Sequence, residues 1–127
     1  MSGAVKIGDS RMNKKVAIFA FNGELTCFGH ALLNALDMKK KGYDAKLIIE
    51  GTATRLIREL QKSDKPFANL YDEAKKAGLI DCVCRACSAL TKSLESAKDQ
   101  GLPICDEMSG HPSASKYIDQ EYEIIVF

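Results

Sequence analysis

The chain has 127 residues, of which 46% are hydrophobic and 28% charged, with a formal net charge of +1. That length is about one domain, and the apolar share is enough to build a real core. A near-neutral balance is not that of a surface made to hold a phosphate backbone, so nucleic acid is not expected as a partner.

Residues 1–14 are polar and glycine-bearing, without periodicity. They read as a flexible tail ahead of a single domain over residues 15–127, and Met12 is a candidate natural start directly before the first strand. The tail lacks the continuous apolar stretch of a secretory signal. Residues 15–21 (KVAIFAF) form a nearly continuous apolar run, expected as a strand covered on both faces. The longest apolar stretch lies within it, far below the roughly 20 residues that span a bilayer, so no membrane partner is expected. Asn22-Gly23 breaks the run. Leu25, Phe28, Leu32, Leu33 and Leu36 then recur at helical spacing, predicting a helix over residues 26–41 that Gly42 ends.

The next strand is expected over residues 44–50 (DAKLIIE). Gly51-Thr52 opens a helix with Leu56, Ile57 and Leu60 on one side. Asp64 and Pro66 start another, with Phe67, Leu70, Tyr71, Ala74 and Ala77 on its apolar face and Gly78 as its stop. A third strand is predicted over residues 79–84. A single helix over residues 88–100 follows, with Leu90, Leu94 and Ala97 in register. Residues 102–105 read as a short fourth strand, 112–120 as a small helix and 122–127 (YEIIVF) as the last strand. The short basic clusters, Lys14-Lys15 and Lys39-Lys40-Lys41, read as solvated lysines, the second set complementing a helix C-terminus.

Strands alternating with helices over short connections predict an α/β fold: a three-layer α/β/α sandwich with a mainly parallel five-stranded sheet. Right-handed crossovers then place every strand-to-helix loop on the carboxyl edge of the sheet. Those loops carry Asn22, Glu24 and Cys27; Glu50 and Thr52; Cys84, Arg85 and Cys87; and Cys105, Asp106 and His111. Cys27, Cys84, Cys87 and Cys105 are therefore expected on or near one edge.

The run Cys82-Val83-Cys84-Arg85-Ala86-Cys87 carries the chemistry, because it lies where a strand hands over to a helix. Partial positive charge at a helix start favours a thiolate, and Arg85 adds a fixed charge in the same turn. Cys84 is thus expected to be reactive, with a lowered pKa and at least partial access. Cys87 follows at the spacing of a dithiol motif, placed to attack a mixed disulfide or persulfide on Cys84. Cys82 reads as a buried small hydrophobe. With five cysteines, a complete intramolecular disulfide framework is impossible, and reduced thiols in a cytoplasmic protein are expected.

Glu24, Glu50 and Asp106 are candidate proton acceptors near the thiols, each otherwise a cap or a solvated loop charge. His111 is a candidate site residue; His30, inside the first helix, reads as a packing or hydrogen-bonding one. Cys84 and Cys87 make one metal-ligand pair without a second. Cys82, Cys105 or His111 would complete a site only through the fold, so no metal and no cofactor are assigned. Phosphate-loop, dinucleotide and nucleophile-elbow patterns do not occur.

On these residues the chain resembles the DsrE/DsrF-like family, small cytosolic proteins of sulfur metabolism. The resemblance spans residues 15–127. It rests on KVAIFAF with the following FNGELTCFGHALLNAL, on DAKLIIEG, and on a third strand ending at a cysteine, LIDCVCRAC. It implies a five-stranded parallel sheet, homo- or hetero-oligomers, and a persulfide carried at the position of Cys84. Cys82 and Cys87 are additions to that pattern, and the arginine–glycine turn of the relay subunits does not occur here.

The leading expectation is a sulfur-relay thiol protein in which Cys84 accepts and passes on sulfur, Cys87 resolves, and Asn22, Cys27, Arg85, Cys105 and His111 support. Its partners would be sulfur donor and acceptor proteins or small thiols. The rivals are a non-catalytic module holding a metal or small anion at the carboxyl edge, and a thiol redox sensor. A homo-oligomer is expected from the resemblance and from the apolar finish Ile124-Ile125-Val126-Phe127, since a bare apolar edge invites pairing.

Overall fold

The computed structural model describes residues 14–127. The expected tail and the start at Met12 fall on residues 1–13, outside the described residues. The chain runs β1 (Lys15–Ala20), α1 (Leu25–Lys40), β2 (Asp44–Ile49), a 3-10 turn (Gly51–Thr54), α2 (Arg55–Leu60), α3 (Ala68–Lys76), β3 (Ile80–Cys84), α4 (Arg85–Leu90), α5 (Leu94–Asp99), β4 (Ile104–Cys105), α6 (Ala114–Asp119) and β5 (Glu123–Val126).

The five strands form one sheet in the order β4-β3-β2-β1-β5, and every pairing is parallel. This is the expected α/β sandwich. Steps from β1 to β2, β3 and β4 all move the same way across the sheet, so right-handed crossovers put their helices on one face. The connection from β4 back to β5 travels the opposite way and leaves α6 on the other face.

The side chains follow that division, because alternate strand residues point to opposite faces. Val16, Ile18 and Ala20 of β1 and Leu47 and Ile49 of β2 pack with Phe28, Leu32, Leu56, Ile57, Tyr71 and Ala97. Ala17, Phe19 and Ile48 instead meet Cys82, Cys105, Tyr117 and Tyr122. Phe19, Tyr117 and Tyr122 make edge-to-face contacts there, with ring centroids 5.6 and 6.0 Å apart. Polar ties close this thinner layer: the Tyr117 hydroxyl donates to Asp81 and the Tyr122 hydroxyl to Asp44 at 2.6 Å.

One predicted element is corrected. The single helix over residues 88–100 is two helices, because Lys92 takes a left-handed φ of 61°. The Ser93 N–H donates to Ser88 O at 2.8 Å in the turn between them, and the Thr91 hydroxyl is paired with Thr54 at 2.7 Å. Leu90, assigned to the buried stripe, is 84% exposed. The first of these helices starts at Arg85, immediately after Cys84, rather than at Ser88.

A candidate thiol and imidazole site

β3 delivers Cys84 to the carboxyl edge, where it is the N-cap of α4 with extended backbone angles (φ −62°, ψ 121°). Its sulfur accepts the Cys87 N–H at 3.4 Å, which is how a cap satisfies one of the free donors of a helix start. The third member comes from the loop between β4 and α6. Ser109 and Gly110 both take positive φ, 52° and 92°, turning the chain so that Met108 and His111 exchange backbone hydrogen bonds of 2.8 and 3.0 Å. The Ala86 N–H donates to Gly110 O at 2.9 Å and ties this loop to the start of α4. Gly110 fits the close approach: a Cβ there would stand 3.2 Å from the Ala86 Cβ.

These anchors bring the His111 Nδ1 to 3.1 Å from Cys84 Sγ and 3.7 Å from Cys87 Sγ. The three atoms all lie within 4.8 Å of one another. Cys84 is fully buried, whereas Cys87 and His111 are partly exposed.

Burial changes the expected acidity of Cys84. Desolvation penalises the thiolate and pushes the thiol up to about 12, outweighing the Cys87 N–H, which pulls the other way; Cys87 and Glu50 add repulsion. The expected low-pKa, accessible Cys84 is therefore corrected: one donated N–H in a six-residue helix is weaker than loss of water. Arg85 does not help, because its side chain is exposed and forms no ion pair or hydrogen bond among the described residues.

Cys105 is also reassigned. It is disulfide-bonded to Cys82, with 5.6 Å between their Cα atoms on adjacent parallel strands. The expectation of reduced thiols throughout does not hold for this pair, Cys82 is not merely a small hydrophobe, and Cys105 offers no thiol to Cys84. Cys27, Cys84 and Cys87 are free. Cys27 stays apart from the cluster at the start of α1, its N–H donating to Glu24 Oε1 at 3.1 Å. The same carboxylate raises the Cys27 thiol above its ordinary value. Asn22 caps locally, its Oδ1 accepting the Glu24 N–H at 2.8 Å. His30 is exposed on α1.

Beside His111 opens a cavity of about 490 Å³, walled by Phe19, Phe21, Met108, Ile124 and Val126 among others, with Glu50 on its lining. Glu50 is only 7% exposed, and its carboxylate makes no hydrogen bond among the described residues. Desolvation, with a smaller contribution from Glu107, pushes it up to about 7. The sequence marks Glu50 as a loop carboxylate after an apolar strand. The cavity walls gave no sequence signal, since they come from residues far apart in the chain.

No family model matches the chain, and no solved structure matches it. It is similar to Uncharacterized protein MJ0733 of Methanocaldococcus jannaschii, at 32% identity over 96 residues that cover 76% of each chain. Two uncharacterized proteins of Archaeoglobus fulgidus match shorter stretches. One is 54% identical over 43 residues (34% of this chain, 70% of the relative); the other is 46% identical over 35 (28% and 95%).

Proposed function

The chain belongs to the family of Uncharacterized protein MJ0733, and from its own side chains we propose that it is a persulfide-carrying thiol protein of the sulfur-relay kind. The observation that carries this reading is the placement of two free thiols against one imidazole nitrogen, at 3.1 and 3.7 Å. The resemblance of residues 15–127 to DsrE/DsrF-like proteins supports it.

Burial interchanges the roles expected of the two thiols. Cys87, the partly exposed one, receives sulfur, and the buried Cys84 resolves. The Cys87 thiolate attacks the outer sulfur of a donor persulfide; that S–S bond breaks, the donor leaves as a thiolate, and Cys87 holds the persulfide. Attack by Cys84 on the inner sulfur then expels hydrogen sulfide and closes a Cys84–Cys87 disulfide. His111 Nδ1 accepts the proton from the attacking thiol. An acceptor thiolate that reaches the outer sulfur first takes it instead, leaving both cysteines reduced.

The test is intact mass after exposure of the reduced protein to a small persulfide donor. The parent should release sulfide and lose the mass of two hydrogens as the Cys84–Cys87 disulfide closes, a change reversed by reductant. Cys84→Ser should gain the mass of one sulfur atom and release little sulfide, and Cys87→Ser should neither gain sulfur nor release sulfide. Failure of Cys84→Ser to take up sulfur, with no sulfide released by the parent, would end the reading.

A cytoplasmic setting and a homo-oligomer belong to the same proposal. Among the described residues no helix is long and apolar enough to cross a membrane. The edge strand β5 presents Val126 at 61% exposure and Ile125 at 37%, an apolar edge that a second copy would cover. Light scattering should give a multiple of the 13.9 kDa chain mass.

A further inference from the structure

The geometry points to a metal centre at the same edge: Cys84 Sγ, Cys87 Sγ and His111 Nδ1 form a three-ligand site for Zn²⁺, its fourth position left to water or a small anion. Around a tetrahedral zinc with Zn–S of about 2.3 Å and Zn–N of about 2.0–2.1 Å, each S···N edge is about 3.5 Å and the S···S edge about 3.8 Å. The two S···N distances here are 3.1 and 3.7 Å, and no pair among the three atoms exceeds 4.8 Å. The ligands therefore stand within about 1 Å of a tetrahedral face before any ion arrives.

Charge and softness agree with that geometry. Two thiolates and a neutral imidazole neutralise a divalent ion, so the complex sits at a buried position without an unpaired charge. Thiolate and imidazole donors select a borderline-soft ion such as zinc over magnesium or calcium.

Both ligand sources are pinned by backbone. Cys84 and Cys87 flank the β3–α4 junction, and His111 is held by its exchange with Met108 and by the Ala86–Gly110 bond. Among the described residues no fourth Cys, His, Asp or Glu joins the cluster. A three-ligand set leaves the open position that distinguishes working zinc sites from closed structural ones. The missing second cysteine pair counts against a closed site only.

This inference does not rest on sulfur relay. A bound ion and a sulfane sulfur compete for the same two thiolates, so each is measured in the absence of the other. Reduced, metal-free protein titrated with Zn²⁺ should bind one ion per chain. With Co²⁺ it should show thiolate-to-metal charge transfer and the intense visible bands of a four-coordinate ion. His111→Ala and Cys87→Ser alter partly exposed positions and should keep the fold by circular dichroism. Each should weaken binding by more than about 100-fold, beyond the 10–100-fold that a lost outer-shell partner costs. Cys27→Ser, outside the cluster, should bind like the parent.

Zinc should also shield two of the three free thiols from alkylation. A six-coordinate cobalt spectrum, or unchanged affinity in folded His111→Ala, overturns the metal centre. Zinc binding without sulfur uptake sinks only the relay reading, and sulfur uptake without zinc binding sinks only this one.

Discussion

The two faces of the sheet are built differently. One is covered by α1, α2, α3 and α5 and packs aliphatic side chains such as Ile18, Leu32, Leu47 and Ile57 at essentially no exposure. The other is covered by α6 and holds a small cluster of two tyrosines, one phenylalanine and the Cys82–Cys105 disulfide, bordered by hydrogen-bonded carboxylates. Chain topology causes the difference: four strands step in one direction and only the last connection returns. The thick face can rely on area removed from water. The thin face has too little cover for that and uses aromatic geometry, a covalent link and polar ties. It also leaves the apolar cavity beside His111 open, with Glu50 on its lining.

The largest effect expected from this contrast is in the thick core. Leu32→Ala, at 0% exposure, should cost about 2–5 kcal/mol in denaturant unfolding because the removed volume cannot be refilled. Ile118→Ala on α6, at 57% exposure on the thin side, should stay within about 0.5 kcal/mol. If both substitutions cost the same, the division of labour between the two faces is wrong.

Next comes the disulfide, which closes a loop with a sequence separation of 23. Replacing both Cys82 and Cys105 by alanine should remove about 3 kcal/mol through the gained freedom of the unfolded chain. Thermal melts of the parent with and without strong reductant should show a similar loss. A melt indifferent to reductant would mean that aromatic packing alone holds this face.

The smallest effect sharpens the contrast at the cavity. Glu50 has its carboxyl pushed from 4.5 to about 7 by desolvation. Between those values the folded protein keeps a proton that the unfolded chain has released. Below pH 4.5 both states are protonated and nothing is lost; as pH rises toward 7 the charged form becomes unfavourable in the cavity, and stability falls. Glu50→Gln should therefore match the parent near pH 4 and exceed it by roughly 1 kcal/mol above pH 7, allowing for the water that reaches the cavity. Melting temperature followed across that range checks the sign. A gain at low pH instead would show that the carboxylate is held by a partner.

How the molecule is ordered along its length was legible in the chain itself. Short apolar runs such as KVAIFAF and amphipathic stretches such as the one from Leu25 to Leu36 repeat with the periods of strand and helix, and those periods depend only on local geometry. The same reading carried Cys84 to the end of β3 and put His111 in a loop on the same edge, because parallel strands share their carboxyl ends. The break at Lys92 was not legible: Leu90 and Leu94 keep helical spacing, and a threonine pair from two distant segments accompanies the turn.

The sequence alone determined the five strands, their parallel arrangement and the edge that bears the thiols, since these follow from periodicity and chirality. Tertiary structure alone decided that Cys82 bonds Cys105, that Cys84 is buried with its thiol held protonated, and that His111 rather than Arg85 stands beside it. Those outcomes depend on which residues distant in the chain come within a few ångströms and on how much water they exclude, and neither quantity is written in the spacing of residues along one strand or helix.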